Sequence, residues 1–129
     1  MRRRYTLTRT GQLLLARAAI TGPAGTKLIN LLVDTGSTYT ILPVEVLESI
    51  GTSPAETDDH QRIATGSGFI ICPRVRVPSL NTLGEEFPRV SVIAHTLPFA
   101  GPIDGLLGMD ILCRLSATIA TATGVVEVD

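Results

Sequence analysis

Short apolar or alternating segments, separated about every ten residues by glycine, proline, asparagine or serine, are the most constraining feature of this sequence. This pattern is typical of an all-β barrel or sandwich, because each short strand must end in a turn before the next one begins. Residues 21–25 contain two glycines and a proline and are predicted to form a hairpin turn. The predicted strands span residues 5–10, 12–20, 27–33, 69–77, 89–94 and 125–128.

Two segments have helical features. In the first, Pro43 suits an early helical position, Glu45 favours the positive N-terminal end, and Gly51 ends the helix. In the second, Asp110 is predicted to cap a turn formed by residues 111–115. The expected architecture is therefore all-β with one or two short helices.

The chain has 129 residues, of which 44% are hydrophobic and 18% are charged, and this length suits one domain over residues 1–129. A folded chain of this size buries roughly two thirds of the surface that its unfolded form exposes, so it needs neither disulfides nor metal. The apolar content excludes an intrinsically disordered chain. The two cysteines, Cys72 and Cys113, are too few for a disulfide scaffold and are expected to be buried, reduced thiols.

The formal net charge of -1 gives no reason to expect a nucleic-acid partner or an anionic membrane as partner. Basic residues are nevertheless concentrated in an N-terminal arm, residues 1–10, which contains Arg2, Arg3 and Arg4. Since no aromatic residues interleave with these arginines as stacking platforms, we interpret them as a solvated tail or as partners of the acidic remainder.

The sequence also contains no apolar stretch near the roughly 18 residues that a transmembrane helix needs. Arg17 interrupts the short apolar run that precedes it, which argues against an export signal. These features predict a soluble, cytoplasmic protein.

Residues 31–38, with the sequence LLVDTGST, form the sharpest local motif: an apolar strand runs directly into an acid, a hydroxyl residue and a glycine. Burying a charged aspartate costs several kcal/mol unless hydrogen bonds or a pKa shift compensate. A purely structural interpretation is a turn, since aspartate and threonine favour turns and glycine supplies positive φ. The functional interpretation is a reactive carboxylate at Asp34.

A weak internal repeat accompanies this motif. Residues 29–35 (INLLVDT) and 103–110 (IDGLLGMD) both place a Leu-Leu pair before a sharp break and a helical signal. Either the match is random, or the domain consists of two similar halves related by a pseudo-twofold axis.

The LLVDTGST motif resembles the active-site loop of retropepsin-like aspartic proteases, in which apolar residues precede Asp-Thr-Gly. A second hallmark of that family, two apolar residues and a glycine before a short helix, is matched by Leu106, Leu107 and Gly108. The resemblance covers residues 12–129. It implies an all-β, retropepsin-like acid protease fold, which is a closed barrel or sandwich with a hairpin flap.

The resemblance assigns Asp34 as the catalytic carboxylate, Thr35 as a residue that bonds across to the opposite loop, and Gly36 as a point of close backbone approach. Such enzymes need two carboxyl groups facing one water, one ionised as general base and one protonated. Because the chain contains a single Asp-Thr-Gly, the resemblance implies a homodimer in which Asp34 and its symmetry mate form the dyad. The rival acids Asp104 and Asp110 are interpreted as a turn acid and a helix cap.

Residues 61–71 match the hairpin flap of the family, which covers the substrate and excludes water. Its tip would consist of Thr65, Gly66, Ser67 and Gly68, and an ordinary hairpin turn is the alternative interpretation. The substrate would bind as an extended polypeptide strand.

Two further expectations follow from the resemblance. The hydroxyl of Ser37 is expected to donate to Asp34 and thereby to lower the working pH range. The terminal strands 5–10 and 125–128 are expected to pair into a sheet between subunits, since their edges would otherwise be exposed.

We therefore predict an aspartic endopeptidase that acts as a homodimer on polypeptides and requires no cofactor or metal. The alternative is a non-catalytic, dimeric peptide-binding module on the same fold. Three other sites are less favoured, two because they lack residues that their chemistry needs, and the thiol dyad because a cysteine in an apolar run is more often part of the core. They are a hydrolase triad at Ser67, a thiol dyad of Cys113 with His95, and a metal site at residues 58–60.

Overall fold

The structure is a computed structural model that describes residues 2–98 and 101–129. Within these residues lie eleven β-strands, two short α-helices and one 3-10 turn. In chain order they are β1 (Arg3–Thr6), β2 (Thr8–Thr10), β3 (Leu13–Gly22), β4 (Gly25–Val33), β5 (Ile41–Leu42), α1 (Val44–Ser49), the 3-10 turn (Pro54–Glu56), β6 (His60–Thr65), β7 (Gly68–Thr82), β8 (Glu85–Ala94), β9 (Gly105–Leu107), α2 (Met109–Arg114), β10 (Thr118–Ala120) and β11 (Val125–Val128).

Strands predominate, which confirms the all-β prediction. The predicted strand 69–77 is too short, since β7 continues through Pro78 to Thr82. A proline lacks the backbone N–H that a strand ladder uses. The β7–β8 ladder is accordingly interrupted at the level of Pro78 and Arg89, and it resumes with Ser79.

Six strands close into a barrel in the order β3, β4, β9, β5, β8 and β7, and the pairing of β3 with β7 completes the circle. The 15 residues of β7 make this closure possible, because β7 pairs with β8 and, near Thr82, also with β3. Closing a sheet on itself satisfies the backbone groups of strands that would otherwise be edges.

The apolar side chains of the barrel form two separate clusters. Val92 belongs to the main core, whereas its neighbour Ile93 belongs to the smaller cluster, so the two clusters lie on opposite faces of β8. Complete burial of a leucine or isoleucine contributes about 1.5–3 kcal/mol, so the main core supplies most of the stability. The smaller cluster consists of Ile41, Cys72, Ile93 and Leu106, with Ile63 and Ile70 of the β6–β7 hairpin packed against it.

The N- and C-terminal strands pair within the chain, in a separate three-stranded sheet of order β1, β11, β10. β1 runs antiparallel to β11, with Arg3 opposite Val128. The prediction of one strand over 5–10 is wrong, because the chain turns at the buried Leu7 and continues as β2 in the barrel sheet. β11 lies in the middle of this sheet, so neither of its edges is left exposed in the single chain, contrary to the sequence expectation.

The basic N-terminal arm is paired with acidic residues of the same chain, which is one of its two sequence interpretations. These side chains are exposed, and exposed ion pairs typically contribute about 0–1 kcal/mol. The nitrogen–oxygen distances are 2.6 Å for Arg2–Asp129, 3.2 Å for Arg3–Glu85 and 3.5 Å for Arg4–Glu127.

Both helices have six residues. α1 begins after Pro43, and Gly51 follows its end with a φ of 86°, so the predicted position of this helix is confirmed. α2 begins after Gly108 and not after Asp110. Neither helix in the described part of the chain is long and apolar enough to cross a membrane.

Candidate active site

Asp34 follows directly on β4, beside the end of β9. These strands are parallel neighbours, with Leu32 opposite Leu106 and Val33 opposite Leu107. The backbone N–H of Asp34 donates to the carbonyl oxygen of Leu107 at 3.0 Å. The two halves of the internal repeat are therefore adjacent parallel strands, and such strands are usually apolar because helices or sheets cover both faces.

The loop that carries Asp34 is also held by the start of α2. The backbone N–H of Met109 donates to the carbonyl oxygen of Ser37 at 2.8 Å. A Cβ atom at Gly108 would overlap the carbonyl oxygen of Tyr39. Only glycine therefore lets the two segments approach so closely.

The buried hydroxyl of Thr40 connects the two sequence motifs. It donates to Oδ1 of Asp110 at 2.7 Å and accepts from the backbone N–H of Gly108 at 3.1 Å. The other carboxylate oxygen of Asp110 accepts from the backbone N–H of Thr40 at 3.0 Å. Sequence reasoning missed Thr40, because its partners lie 68 and 70 residues away and no local pattern announces them.

The prediction that Asp110 caps α2 is wrong. The helix begins one residue earlier, with Gly108 at the cap position and no side-chain cap bond. The carboxylate of Asp110 instead accepts two hydrogen bonds from Thr40, whose N–H and hydroxyl would otherwise be buried without partners.

The side chain of Asp34 is partly buried, and its Oδ1 accepts from the backbone N–H of Gly36 at 2.9 Å. The expectation that Ser37 donates to Asp34 is wrong. The Ser37 hydroxyl donates instead to the carbonyl oxygen of Tyr39 at 2.7 Å. Serine readily forms such local bonds to the backbone two residues away, and its single proton is then committed.

Thr35 is exposed and lines a hollow on the side of the molecule formed by α2 and β10. Leu112 and Ile119 supply apolar surface to this hollow. Cys113 is exposed beside it, so the expectation of a buried thiol is wrong for this residue. The short helix turns Ile111 and Leu112 towards the core, which leaves Cys113 facing outwards.

β6 and β7 form the predicted hairpin. Thr65 pairs with Gly68, and the turn consists of Gly66 and Ser67. The hydroxyl of Thr65 donates to the carbonyl oxygen of Gly68 at 3.0 Å. Gly68 has a φ of 129°, which side-chain-bearing residues rarely adopt, so glycine is required at this end of the turn.

A cavity of about 330 Å³ lies between the hairpin and the Asp34 loop. Ile63, Ile70 and Thr65 line it from the hairpin side. The other predicted tip residues, 66–68, do not belong to its lining. Among the described residues that line the cavity, only Asp34 carries a carboxylate.

Cys72 forms part of the cavity floor, together with Ile41 and Leu106. Burial raises the pKa of the Cys72 thiol, which therefore stays neutral and acts as apolar surface. His95 lines the same cavity, whereas Cys113 lines the hollow beside Thr35. Cys113 and His95 therefore do not belong to one site.

Neither rival acid joins Asp34. Oδ2 of Asp104 accepts from the backbone N–H of Asn30 at 2.8 Å, within β4 and before the end that carries Asp34. Four residues of extended strand, or about 13 Å, separate Asn30 from Asp34. Asp110 is bonded to Thr40, as described above. In residues 2–98 and 101–129 there is also no group of three or more potential metal ligands.

Comparisons with known proteins agree with this geometry. A family model described as aspartyl protease matches residues 16–111, a span that includes both motifs and the hairpin. A solved structure of a retropepsin-like aspartic protease from Rickettsia conorii is similar, with a TM-score of 0.70 and 17% sequence identity over 99% of this chain and 91% of that chain. The search of curated proteins gives no match.

At 17% identity, the structural similarity establishes the fold. The closed barrel, the hairpin above Asp34 and the two short helices are thus a retropepsin-like fold, as the sequence predicts. The family model covers well over half of the chain and contains Asp34, Thr35 and Gly36. The chain belongs to the aspartyl protease family.

Proposed function

We propose that this protein is an aspartic endopeptidase, and that two Asp34 carboxyl groups, one from each subunit of a homodimer, activate the attacking water. The observation that carries the proposal is the carboxylate of Asp34 in a cavity beneath the β6–β7 hairpin, where no second carboxylate occurs among the described lining residues. Membership of the aspartyl protease family supports the same reaction class.

This chemistry needs two neighbouring carboxyl groups. The ionised one accepts a proton from the attacking water, and the protonated one donates to the carbonyl oxygen of the scissile bond. Two carboxylates a few ångströms apart cannot both ionise cheaply, so one proton is shared by the pair. Each chain offers one such group at Asp34, and a twofold axis would supply the second.

The surroundings of Thr35 support a contact between copies on this side of the molecule. Thr35 is exposed, and the hollow beside it presents apolar surface from α2 and β10. A twofold interface brings the same patch of both subunits together, so two Thr35 side chains would meet near the axis. In the proposal, each Thr35 hydroxyl bonds the backbone of the opposite loop and holds the two Asp34 groups coplanar.

The substrate would lie as an extended polypeptide between the hairpin and the Asp34 loop. Gly36 would let its backbone approach, because no side chain stands in the way. The hairpin would cover it as a lid, with Thr65 as the tip residue that reaches the cavity and 66–68 as the turn that gives mobility. Ser37 would brace the loop through its bond to Tyr39.

Hydrolysis of a diverse peptide library by the wild-type protein and by Asp34→Asn, from about pH 3 to pH 8, tests the reaction class. We expect cleavage by the wild type, inhibition by a statine-type transition-state analogue, and no cleavage by the variant. Asp104→Asn is the matched control: it neutralises the rival acid that bonds Asn30 of β4, about 13 Å along the strand from Asp34, and should retain cleavage.

A mixing experiment tests whether the dyad is shared. After subunit exchange between equal amounts of wild type and Asp34→Asn, random pairing leaves about one quarter of the molecules as wild-type dimers. If the dyad is shared, the mixture should have about one quarter of the activity of the same total amount of wild-type protein. If a single subunit is active by itself, the mixture should have about one half of that activity. A folded dimer that binds peptides without cleaving them would instead favour the peptide-binding module.

A further inference from the structure

A basic groove continues from the cavity along the sheet. It is a depression of about 300 Å³ between β7, β8 and α2. Tyr39 lines both the cavity and the groove, so the two are contiguous. The polar residues that define the basic groove are Tyr39, Arg74, Arg89, Ser91, Asp110 and Arg114.

The alternation of side chains along β8 gives the direction and length of the groove. Ser91 and Ile93 are two residues apart on β8 and therefore share one face. His95 directly follows the end of β8, and Arg89 precedes Ser91 at the interruption of the β7–β8 ladder. His95 lines the cavity, whereas Ile93, Ser91 and Arg89 line the groove. The distance from His95 to Arg89 is about 20 Å, which an extended peptide covers with roughly six residues.

Three arginines from distant parts of the chain reach the groove. Arg74 belongs to β7, Arg89 to β8 and Arg114 to α2. Arg74 donates to the amide oxygen of Gln61 at 3.3 Å, and the Arg114 guanidinium lies 4.8 Å from the ring centre of Phe87. None of the three pairs with an acidic side chain among the described residues, where the ion pairs belong to the N-terminal basic arm.

The groove contains one carboxylate, that of Asp110. Its oxygens already accept from the hydroxyl and N–H of Thr40 and from the N–H of Ile111. Three guanidinium groups against one carboxylate leave a formal excess of two positive charges. Guanidinium groups bind carboxylates through paired hydrogen bonds, so this excess suits an acidic ligand.

The backbone of Arg89 points to a role for its side chain. Its φ of 49° lies in the left-handed region, which residues other than glycine, asparagine and aspartate seldom adopt. The residue sits where the β7–β8 ladder is interrupted at Pro78. A glycine would take this conformation at lower cost, so an arginine here indicates that the side chain is needed.

We propose that the basic groove is a specificity site for an acidic side chain of the substrate polypeptide. The glutamate or aspartate would lie roughly two to six residues from the scissile bond, by the strand rise along β8. This inference rests on the proposed function, because it takes the substrate to be an extended chain through the cavity. In a homodimer, each end of the cavity would have one such groove.

The test uses pairs of peptides that differ only in glutamate or glutamine at one position within this range. We expect the wild type to cleave the glutamate peptide about 3- to 10-fold more efficiently, measured as kcat/KM, because partly exposed arginines bind it. The preference should weaken at about 0.5 M salt, where exposed charges are screened. It should also disappear below about pH 4, where glutamate loses its charge.

The double variant Arg89→Gln with Arg114→Gln should abolish the preference and leave cleavage of the glutamine peptide within about twofold of wild type. The double variant Arg17→Gln with Arg76→Gln is the matched control, because it also removes two positive charges, from exposed positions on β3 and β7 outside the groove. This control should keep the full preference. Circular dichroism of all variants checks that they are folded.

Binding of the same labelled peptides to Asp34→Asn, measured by fluorescence anisotropy, separates this inference from the proposed function. A glutamate preference in binding without hydrolysis by the wild type would refute the endopeptidase and keep the acidic-side-chain site. Hydrolysis without a glutamate preference, or with a preference that survives in the double variant, would overturn the groove assignment and keep the endopeptidase. Neither binding nor hydrolysis would overturn both.

Discussion

Replacement of Thr40 by valine tests whether one buried hydroxyl holds the two motifs together. Thr40 is fully buried, and valine has nearly the same shape, so Thr40→Val removes hydrogen bonds without opening a cavity. The lost bonds are the donation to Asp110 and the acceptance from Gly108. The loop that carries Asp34 should therefore lose one of its ties to the start of α2, while the backbone bond from Met109 to Ser37 remains.

The expected loss follows from these two bonds. A hydrogen bond to a charged group contributes about 1.5–3 kcal/mol, and a buried N–H without a partner costs about 1–3 kcal/mol. The loss of stability is smaller than the sum of these two values, because the Asp110 carboxylate still accepts from the backbone N–H groups of Thr40 and Ile111. We expect the free energy of unfolding to fall by about 2–4 kcal/mol.

Urea unfolding at a fixed protein concentration measures this change, since an oligomer would make stability concentration-dependent. The midpoint should fall by roughly 1–2 M, given ordinary denaturant slopes. Thr82→Val is the control, because Thr82 is also buried and donates a single neutral bond to the carbonyl oxygen of Arg17 at 3.0 Å. It should lose only about 1 kcal/mol. An equal loss in the two variants would refute the reasoning.

Four further predictions concern single positions. Gly108→Ala places a methyl group against a backbone carbonyl and should lower the free energy of unfolding by more than about 3 kcal/mol. Gly66→Ala, in an open turn, should change it by less than about 1 kcal/mol, and thermal unfolding of the two variants measures the difference. In a thiol titration of the native protein, Cys113 should react rapidly and Cys72 slowly, and equal rates would contradict the burial of Cys72. The raised pKa of Cys72 lets the folded state keep its thiol proton, whereas the unfolded chain releases that proton near the ordinary thiol pKa of 9.0. The free energy of unfolding should therefore decline as the pH rises through 9.0. Ser37→Ala should lower stability by about 1 kcal/mol, and it should leave the pH dependence of hydrolysis unchanged because the hydroxyl bonds a carbonyl; a shifted pH–rate profile would contradict this.

The features that sequence reasoning found are those that a short stretch of chain specifies by itself. Asp34, Thr35 and Gly36 form a contiguous triplet after an apolar strand, and residues 106–108 form a second contiguous motif. The hairpin at 61–71 is identified from the glycines at its tip, residues 65–68, and from its resemblance to the flap of the family. Each of these patterns involves neighbours in sequence, so no knowledge of the barrel register is needed to find it.

The features that sequence reasoning missed depend on how the barrel closes. Thr40 meets Asp110 only because β4 and β9 are parallel neighbours, which brings the segments that follow them together. The basic groove likewise collects Arg74, Arg89 and Arg114 from three elements that the register alone makes adjacent. The secondary-structure propensity of a short segment contains no information about such pairs, since the residues come into contact only after the strands are aligned in register.

The register of β4 and β9 also explains why no carboxylate stands directly beside Asp34 on the neighbouring strand. Val33 lies opposite Leu107, so the next residues along the two strands are Asp34 and Gly108. In the strand register, glycine therefore stands beside the acid. A side chain there would overlap the carbonyl oxygen of Tyr39, in the loop that carries Asp34. The close approach that fixes the first carboxylate therefore excludes a second one at the equivalent position, which is the physical reason for assigning the second carboxylate of the proposed dyad to another copy of the chain.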